Sequence, residues 1–158
     1  MAYHCTHSNV RYIALLHDIG KIGIPDSVLK KPGRLSDEEF QLMKQHVTIG
    51  SRILQDNSAV RELRKGVQYH HERYDGKGYA EGLKGEQIPE IARIICLADS
   101  YDAMTSNRVY RPRLSDLAVM SELVKNSGSQ FDPAMTEVFI RMIKEKKITP
   151  AQEEAASV

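Results

Sequence analysis

The fold of this chain is decided by a short stretch, Leu15-Leu16-His17-Asp18-Ile19-Gly20-Lys21. An apolar run from Tyr12 leads into it and predicts a helix over about residues 9–19 that enters the protein interior. The run delivers a nitrogen donor and an anionic oxygen donor side by side, and such a pair is costly to bury unless each group is bonded or holds a metal. Gly20 suits a helix stop. The stretch therefore predicts either a satisfied buried pair or part of a metal site.

Composition limits the functions that the chain can have. Its 158 residues predict one domain, and a net charge of +1 gives no reason to expect DNA or an acidic membrane surface as a partner. No apolar stretch is long enough for a membrane segment. Cys5 and Cys96 lack partners at metal-site spacing, which favours free thiols in a reducing cytoplasm. We expect a cytoplasmic protein.

Apolar residues recur at helical spacing, and no segment has a convincing strand alternation, so the sequence predicts an all-α fold. Helices are expected at about 26–30, from Ser36 to Leu54, and at 59–72, 90–104, 116–126 and 133–146. Their start signals are Ser36 with Glu39, Ser115, and Asp132 before Pro133. The residues expected to be buried are Phe40, Met43, Val47, Ile53, Leu54, Val60, Leu63, Val67, Ile91, Ile94, Ile95, Ala98, Leu117, Met120, Leu123, Val124, Met135, Val138, Phe139 and Met142.

Six metal-capable side chains fall on inward faces of four of these helices. They are four imidazoles and two carboxylates: His17, Asp18, His46, His70, His71 and Asp99. Asp102 extends the same apolar face as Asp99, and His46 falls on the edge of its buried face. Six mixed ligands suit two divalent ions bridged by a carboxylate such as Asp18, and they suit iron, manganese or zinc better than magnesium or calcium. Two such ions are suited to phosphoester hydrolysis.

Four ordered motifs then identify a resemblance. They are His17-Asp18-Ile19-Gly20-Lys21, His70-His71-Glu72-Arg73-Tyr74-Asp75-Gly76-Lys77-Gly78-Tyr79, Leu97-Ala98-Asp99-Ser100-Tyr101-Asp102-Ala103-Met104-Thr105, and Arg108-Val109-Tyr110-Arg111-Pro112. Over about residues 12–145 the chain resembles the HD-GYP domain family. The resemblance implies an all-α HD-domain bundle of about six to seven helices with a metal centre. It also implies hydrolysis of the bacterial second messenger cyclic di-GMP to linear pGpG and onward to GMP.

The resemblance also implies residue roles. His17, Asp18, His46, His70, His71 and Asp99 match the family's metal ligands, with Asp18 as the bridge between two ions, iron or manganese first and zinc or others as alternatives. A hydroxide bridging the ions would attack phosphorus. Lys21 matches a lysine beside the scissile phosphate, where it or a water would protonate the leaving group. The residues that match nucleotide-holding positions are Tyr79, Asp102, Arg108 and Arg111.

Two departures from the family pattern affect these expectations. Ala80 stands where the family has proline, and the loss of that proline would loosen the glycine-rich loop, Tyr74 to Gly82. Only sixteen residues precede His17, none of them acidic, whereas the family has a further helix with more ligands. One ion would then have only His17, Asp18 and Asp99, unless His4, His7 or a second chain completes its ligands. The lack of an upstream acid also argues against a three-metal centre.

We therefore divide the chain into a short N-terminal segment (1–11), a catalytic domain (12–148) and a tail (149–158). The first hypothesis is a cyclic di-GMP phosphodiesterase. The second is an HD-GYP-like domain with weak or no turnover that senses metal or nucleotide, or that binds a partner such as a diguanylate cyclase (GGDEF) domain. A third is a hydrolase of another nucleotide, such as a hybrid cyclic GMP–AMP. A homodimer is compatible with each hypothesis.

Overall fold

Helices make up the regular structure of the protein. The computed structural model describes residues 7–55, 61–107 and 112–148. In these ranges there are seven α-helices of eight or more residues, one single-turn helix (α2) and two 3₁₀ helices, and the one β feature is an isolated bridge between Ser127 and Phe131. The α-helices are α1 His7–Leu16, α2 Asp26–Leu29, α3 Asp37–Lys44, α4 His46–Ile53, α5 Arg61–Tyr69, α6 Glu90–Thr105, α7 Asp116–Asn126 and α8 Pro133–Lys144. The 3₁₀ helices are Ile19–Gly23 and Gly85–Gln87. The all-α prediction is confirmed.

The three predicted helix starts are all present. Ser36 and Glu39 form a reciprocal capping box, with the Glu39 amide 3.3 Å from Ser36 Oγ and the Ser36 amide 2.7 Å from the Glu39 carboxylate. Ser115 Oγ accepts from the Ala118 amide at the start of α7. Asp132 Oδ1 accepts two amides of the first turn of α8. Each cap satisfies donors that a helix end leaves unpaired.

Two predicted helix boundaries were wrong. The first helix ends at Leu16 rather than near residue 19, and a 3₁₀ helix, Ile19–Gly23, follows it. A Cβ on Gly20 would stand 1.8 Å from the His46 carbonyl oxygen, so this turn packs against α4 at a distance that only glycine allows. The long helix expected after Ser36 is two helices, because the Gln45 amide bonds to Leu42, three residues back, and tightens the turn between α3 and α4.

Two hydrophobic clusters share helix α6. Ile91 and Ile95 pack with Ile13 and Leu63, whereas Leu97 and Tyr101 pack with the core residues of α7 and α8. Six side chains that were expected inside are largely exposed: Phe40, Ile53, Leu117, Val124, Val138 and, on α6, Asp102. The amphipathic α7 buries the narrow stripe of Val119 and Leu123, which packs with core residues of α6 and α8. Val60 lies outside the described residues.

No helix in the described part of the chain has the length and apolar character needed to cross a membrane.

Candidate metal centre

Four chain segments bring the predicted ligands to one place. His17 and Asp18 follow the end of α1, His46 is the first residue of α4, His70 and His71 follow α5, and Asp99 lies in the middle of α6. The contact of Gly20 with the His46 carbonyl joins the first two segments. Helix packing therefore assembles residues that are more than eighty positions apart in the sequence.

The most compact group consists of one carboxylate and three imidazoles. One ligand atom each from Asp18, His46, His70 and His71 all lie within 4.8 Å of one another. Asp18 Oδ1 is 3.4 Å from His46 Nε2 and 3.9 Å from His70 Nε2. Mixed imidazole and carboxylate donors at this density could hold a divalent metal ion.

A second group lies on the other side of Asp18. His17 Nε2 is 3.5 Å from Asp18 Oδ2 and 3.7 Å from Asp99 Oδ1. Asp18 Oδ1 thus faces His46 and His70, whereas Asp18 Oδ2 faces His17. His46 is fully buried, with 1% of its surface exposed, rather than on the edge of the buried face as expected.

The histidine rings are oriented by the backbone. Nδ1 of His17, His46 and His70 lies 2.8, 2.7 and 2.8 Å from the carbonyl oxygen three residues earlier, and it donates a hydrogen bond in the tautomer with a proton there. That tautomer leaves Nε2 with its lone pair free, which is the arrangement of a metal-binding histidine.

Three ligand atoms in this group are buried without a partner. Asp18 Oδ1, His46 Nε2 and His70 Nε2 have no hydrogen-bond partner in the part of the chain that the structure describes, although a buried acceptor left unpaired is destabilising by about 1–3 kcal/mol. All three atoms face one another and all three are acceptors, so none can donate a hydrogen bond to the others. These unpaired atoms fit a bound cation.

Burial and charge set the protonation states. Burial lowers the pKa of His70 to about 3 and that of His71 to about 4, and it also lowers the pKa of His46. These three imidazoles are therefore neutral near pH 7, as metal ligands must be. The carboxylate of Asp99 raises the pKa of His17, and His17 in turn lowers the pKa of Asp99.

Lys21 is held at the edge of the cluster by Asp18. Its ammonium donates to Asp18 Oδ2 at 2.5 Å. Burial alone would raise the pKa of Asp18, but the bond from Lys21 keeps that pKa below its usual value. Asp18 is thus an anion at neutral pH, and Lys21 supplies a positive charge beside it.

The glycine-rich loop covers the cluster through Tyr79. Its ring stacks on His71 with the ring centroids 4.8 Å apart. Gly78 permits this approach, since a Cβ there would stand 2.4 Å from Glu72 Cα. The buried Glu72 carboxylate accepts the amides of Glu81 and Gly82 at 2.7 and 2.9 Å and ties the loop down.

Ala80 has a backbone conformation that proline cannot adopt. Its φ is +142°, whereas the proline ring fixes φ near −65°. The loosening expected from the loss of proline is opposed by the two amide bonds to Glu72 that follow directly.

The predicted nucleotide-holding residues are less concentrated. Tyr79 is half-buried beside the cluster, but Asp102 is exposed and accepts a hydrogen bond from Ser106. The prediction that Asp102 lies on the apolar face with Asp99 was wrong. Arg108 and Arg111 lie outside the described residues, as do His4 and the C-terminal tail.

Two residues beside the site were not singled out from the sequence. Glu72 belongs to the second motif, but no role was predicted for it. Its position directly after two inward-facing histidines could have indicated a role at the site. Lys44, which lies over the rings of Phe40 and Tyr79, gave no signal because an isolated lysine on a helix is common.

A cavity of about 600 Å³ between α6 and α8 has no comparable cluster of metal-binding side chains. It is lined mostly by apolar side chains such as Ile94, Met135 and Phe139, and its Arg93 and Asp132 pair with each other. Among the described residues, the reactive groups are concentrated instead at the histidine cluster, which consists of His17, Asp18, His46, His70, His71 and Asp99.

Comparison with known proteins agrees with this geometry. A family profile described as the HD domain matches residues 5–135, which is most of the chain. The chain belongs to the HD-domain family. The family resemblance inferred from the motifs is thereby confirmed.

Individual relatives of this HD domain are longer proteins. This chain is 46% identical over 140 residues to a cyclic di-GMP phosphodiesterase of Thermotoga maritima, with 87% of this chain and 38% of the relative covered. It is 39% identical over 129 residues to 3'3'-cGAMP-specific phosphodiesterase 2 of Vibrio cholerae, with 79% and 24% covered. The chain thus spans well under half of the length of these relatives.

A solved structure supports the fold of the HD domain. A cyclic GMP-AMP specific phosphodiesterase of Vibrio cholerae superposes with a TM-score of 0.65 at 21% identity, covering 86% of this chain and 38% of that one.

Proposed function

We propose that this HD domain is a metal-dependent phosphodiesterase that hydrolyses cyclic di-GMP to linear pGpG and onward to GMP. One observation carries the proposal: Asp18 Oδ1, His46 Nε2 and His70 Nε2 are buried, unpaired and directed at one another. Relatives named for this activity support the choice of substrate.

In this proposal two divalent ions, iron or manganese, are held by six residues. Asp18 would contribute to both ions, because its two oxygens face different imidazoles; His46, His70 and His71 would hold one ion, and His17 and Asp99 the other. The ions would activate water for attack on phosphorus and neutralise the phosphoryl oxygens.

The remaining roles belong to the chain's own groups. Lys21 is the cation nearest Asp18, and it stabilises charge on the phosphate or gives a proton to the departing oxygen. The backbone carbonyls behind His17, His46 and His70 fix the rings and keep Nε2 available. Tyr79, Asp102, Arg108 and Arg111 remain proposed nucleotide contacts.

Hydrolysis of cyclic di-GMP by protein loaded anaerobically with iron(II) or manganese(II) tests this proposal. Products are resolved by chromatography, and metal is counted on the same sample. Asp18→Ala is the inactive variant, and Asp26→Ala is its matched control, because Asp26 is an exposed partner of Lys30 on α2. Product that vanishes in Asp18→Ala alone supports the proposal. Two metals per chain without product would favour the sensor or interaction module, for which a GGDEF domain is the proposed partner.

A second candidate substrate is 3'3'-cGAMP, since one relative is named as specific for it. Competition between the two dinucleotides in one reaction separates the candidates: the preferred substrate inhibits turnover of the other at the lower concentration. A homodimer, the cytoplasmic location and the domain limits 1–11, 12–148 and 149–158 remain predictions.

A further inference from the structure

A cavity of about 300 Å³ adjoins the histidine cluster, and the mechanism above does not use it. Two aromatic rings, two lysines and one proposed metal ligand are among its lining residues: Phe40, Lys44, His71, Lys77 and Tyr79. His71 belongs to both the cavity and the cluster. A molecule bound at the cluster can therefore extend into this cavity.

Lys44 supplies a positive charge in the cavity. The Glu72 carboxylate also lines the cavity, but it accepts the amides of Glu81 and Gly82 and forms no ion pair with Lys44. The Lys44 ammonium is 4.7 Å from the Phe40 ring centroid and 5.6 Å from the Tyr79 ring centroid. In the described part of the chain, no carboxylate lies within ion-pair distance of Lys44 or Lys77. Lys21, by contrast, is bonded to Asp18 at 2.5 Å.

The aromatic rings position this charge without cancelling it. A ring face attracts an ammonium through its quadrupole but leaves the net charge intact. Tyr79 already stacks on His71, and Lys44 lies over both Tyr79 and Phe40, so the ring faces toward the ammonium are in use. The arrangement suits an anion better than a stacked base.

We propose that this cavity is an anion subsite for the phosphate group of the substrate that is not being cleaved, and that Lys44 is its principal contact. The inference rests on the proposed function, because a dinucleotide brings a second phosphate when the first lies at the metal centre. A lysine ammonium is a compact point charge that suits a phosphate oxygen. Lys77 lines the same cavity and adds to its positive potential.

The test compares a substrate that has two phosphates with a diester that has one. Manganese-loaded wild type and Lys44→Met are assayed with cyclic di-GMP and with bis(p-nitrophenyl) phosphate. The loss of a charged hydrogen bond should lower kcat/KM for cyclic di-GMP about tenfold relative to kcat/KM for bis(p-nitrophenyl) phosphate. The change should come mainly from a higher KM for cyclic di-GMP. Lys125→Met is the matched control, because Lys125 is an exposed lysine of α7 that pairs with Glu122. It should leave the ratio unchanged.

An equal fall for both substrates would overturn the subsite, because Lys44 would then act by supporting Tyr79 and the metal centre. An unchanged ratio would overturn it as well. Equilibrium binding of cyclic di-GMP to the same manganese-loaded proteins, by calorimetry at two salt concentrations, separates this inference from the proposed function. If wild type binds without hydrolysis and Lys44→Met binds more weakly and with less salt dependence, the phosphodiesterase proposal fails and the subsite stands. Wild type that does not bind cyclic di-GMP would contradict the subsite.

Discussion

The two halves of the molecule differ in whether their buried polar groups have hydrogen-bond partners. Helix α6 divides them: the N-terminal half comprises α1, α4, α5 and the first 3₁₀ helix, and the C-terminal half comprises α7 and α8. In the C-terminal half, Asp132 caps α8 and pairs with Arg93, and Thr136 donates to the Asp132 carbonyl. Among the described residues of the N-terminal half and the glycine-rich loop, four buried side-chain atoms lack partners: Asp18 Oδ1, His46 Nε2, His70 Nε2 and Glu72 Oε2.

This difference separates structural from functional polarity. A buried group whose hydrogen bonds are all made within the protein contributes to stability, whereas a cluster of unpaired groups keeps a cost that a ligand can remove. We therefore expect substitutions in the N-terminal half to affect chemistry more than stability, and substitutions in the C-terminal half to do the reverse.

The largest expected effect is that of Asp18→Ala on turnover. Removal of the one carboxylate shared by both groups of imidazoles should lower kcat/KM by about a thousandfold, equivalent to about 4 kcal/mol. Metal counted per chain should fall as well. The metal-free variant should unfold within about 1 kcal/mol of wild type, because the loss of the partly exposed Asp18–Lys21 pair is offset by the removal of a buried oxygen without a partner. A metal-free variant that is strongly destabilised would contradict a functional role for the unpaired atom.

Asp132→Ala should produce the opposite pattern. It leaves the half-buried Arg93 guanidinium with only the Ile88 carbonyl as a partner and removes the cap of α8, which should lower the free energy of unfolding by about 3 kcal/mol. Metal per folded chain should be unchanged. Chemical denaturation measures the first quantity and elemental analysis the second. Glu122→Ala, which breaks the exposed pair with Lys125, is the control and should change stability by less than about 1 kcal/mol.

Gly20→Ala should affect stability and metal binding together, because Gly20 joins the Asp18 segment to α4. The new methyl group would overlap the His46 carbonyl, at a cost of about 2 kcal/mol, and move Asp18 away from His46. Metal affinity, measured by competition with a chelator, should fall. Gly23→Ala is the control, since the three atoms nearest its methyl group would all belong to the Ile49 side chain, and the closest, the terminal Cδ1 at 2.9 Å, can move. Equal effects of the two changes would refute the importance of the Gly20 contact.

The smallest expected effect is at Ala80. Its positive φ is strained for any residue with a Cβ, so Ala80→Gly should stabilise the protein by up to about 1 kcal/mol. Ala80→Pro should destabilise it, although the family has proline here, because proline cannot adopt this φ. Thermal unfolding of the two variants decides the question. A stabilising proline would mean that the loop adopts another conformation.

The sequence was sufficient to predict the fold class and the caps, because each depends on local chemistry. It also singled out side chains that the fold brings together, among them Asp18, His46 and His70. Ser36, Ser115 and Asp132 start helices through contacts within three residues. The inward positions of His70 and His71 follow from the stripe of Leu63 and Val67.

Properties that depend on packing between helices could not be predicted. Leu117 and Val124 share a helical stripe with buried residues, but nothing in the described part of the chain covers them. The early end of the first helix depends on contact between Gly20 and His46, twenty-six positions later. The position of Lys44 over two rings likewise depends on how the glycine-rich loop packs against α3.

An anomalous difference map from a crystal of the manganese-loaded protein would test the central claim most directly. The account predicts a metal peak about 2 Å from Asp18 Oδ1, His46 Nε2 and His70 Nε2, in the place that these unpaired atoms surround. A second peak beside Asp18 Oδ2, His17 and Asp99 would support the two-ion centre. A map in which water alone bonds these atoms, with manganese bound elsewhere on the protein, would contradict the account.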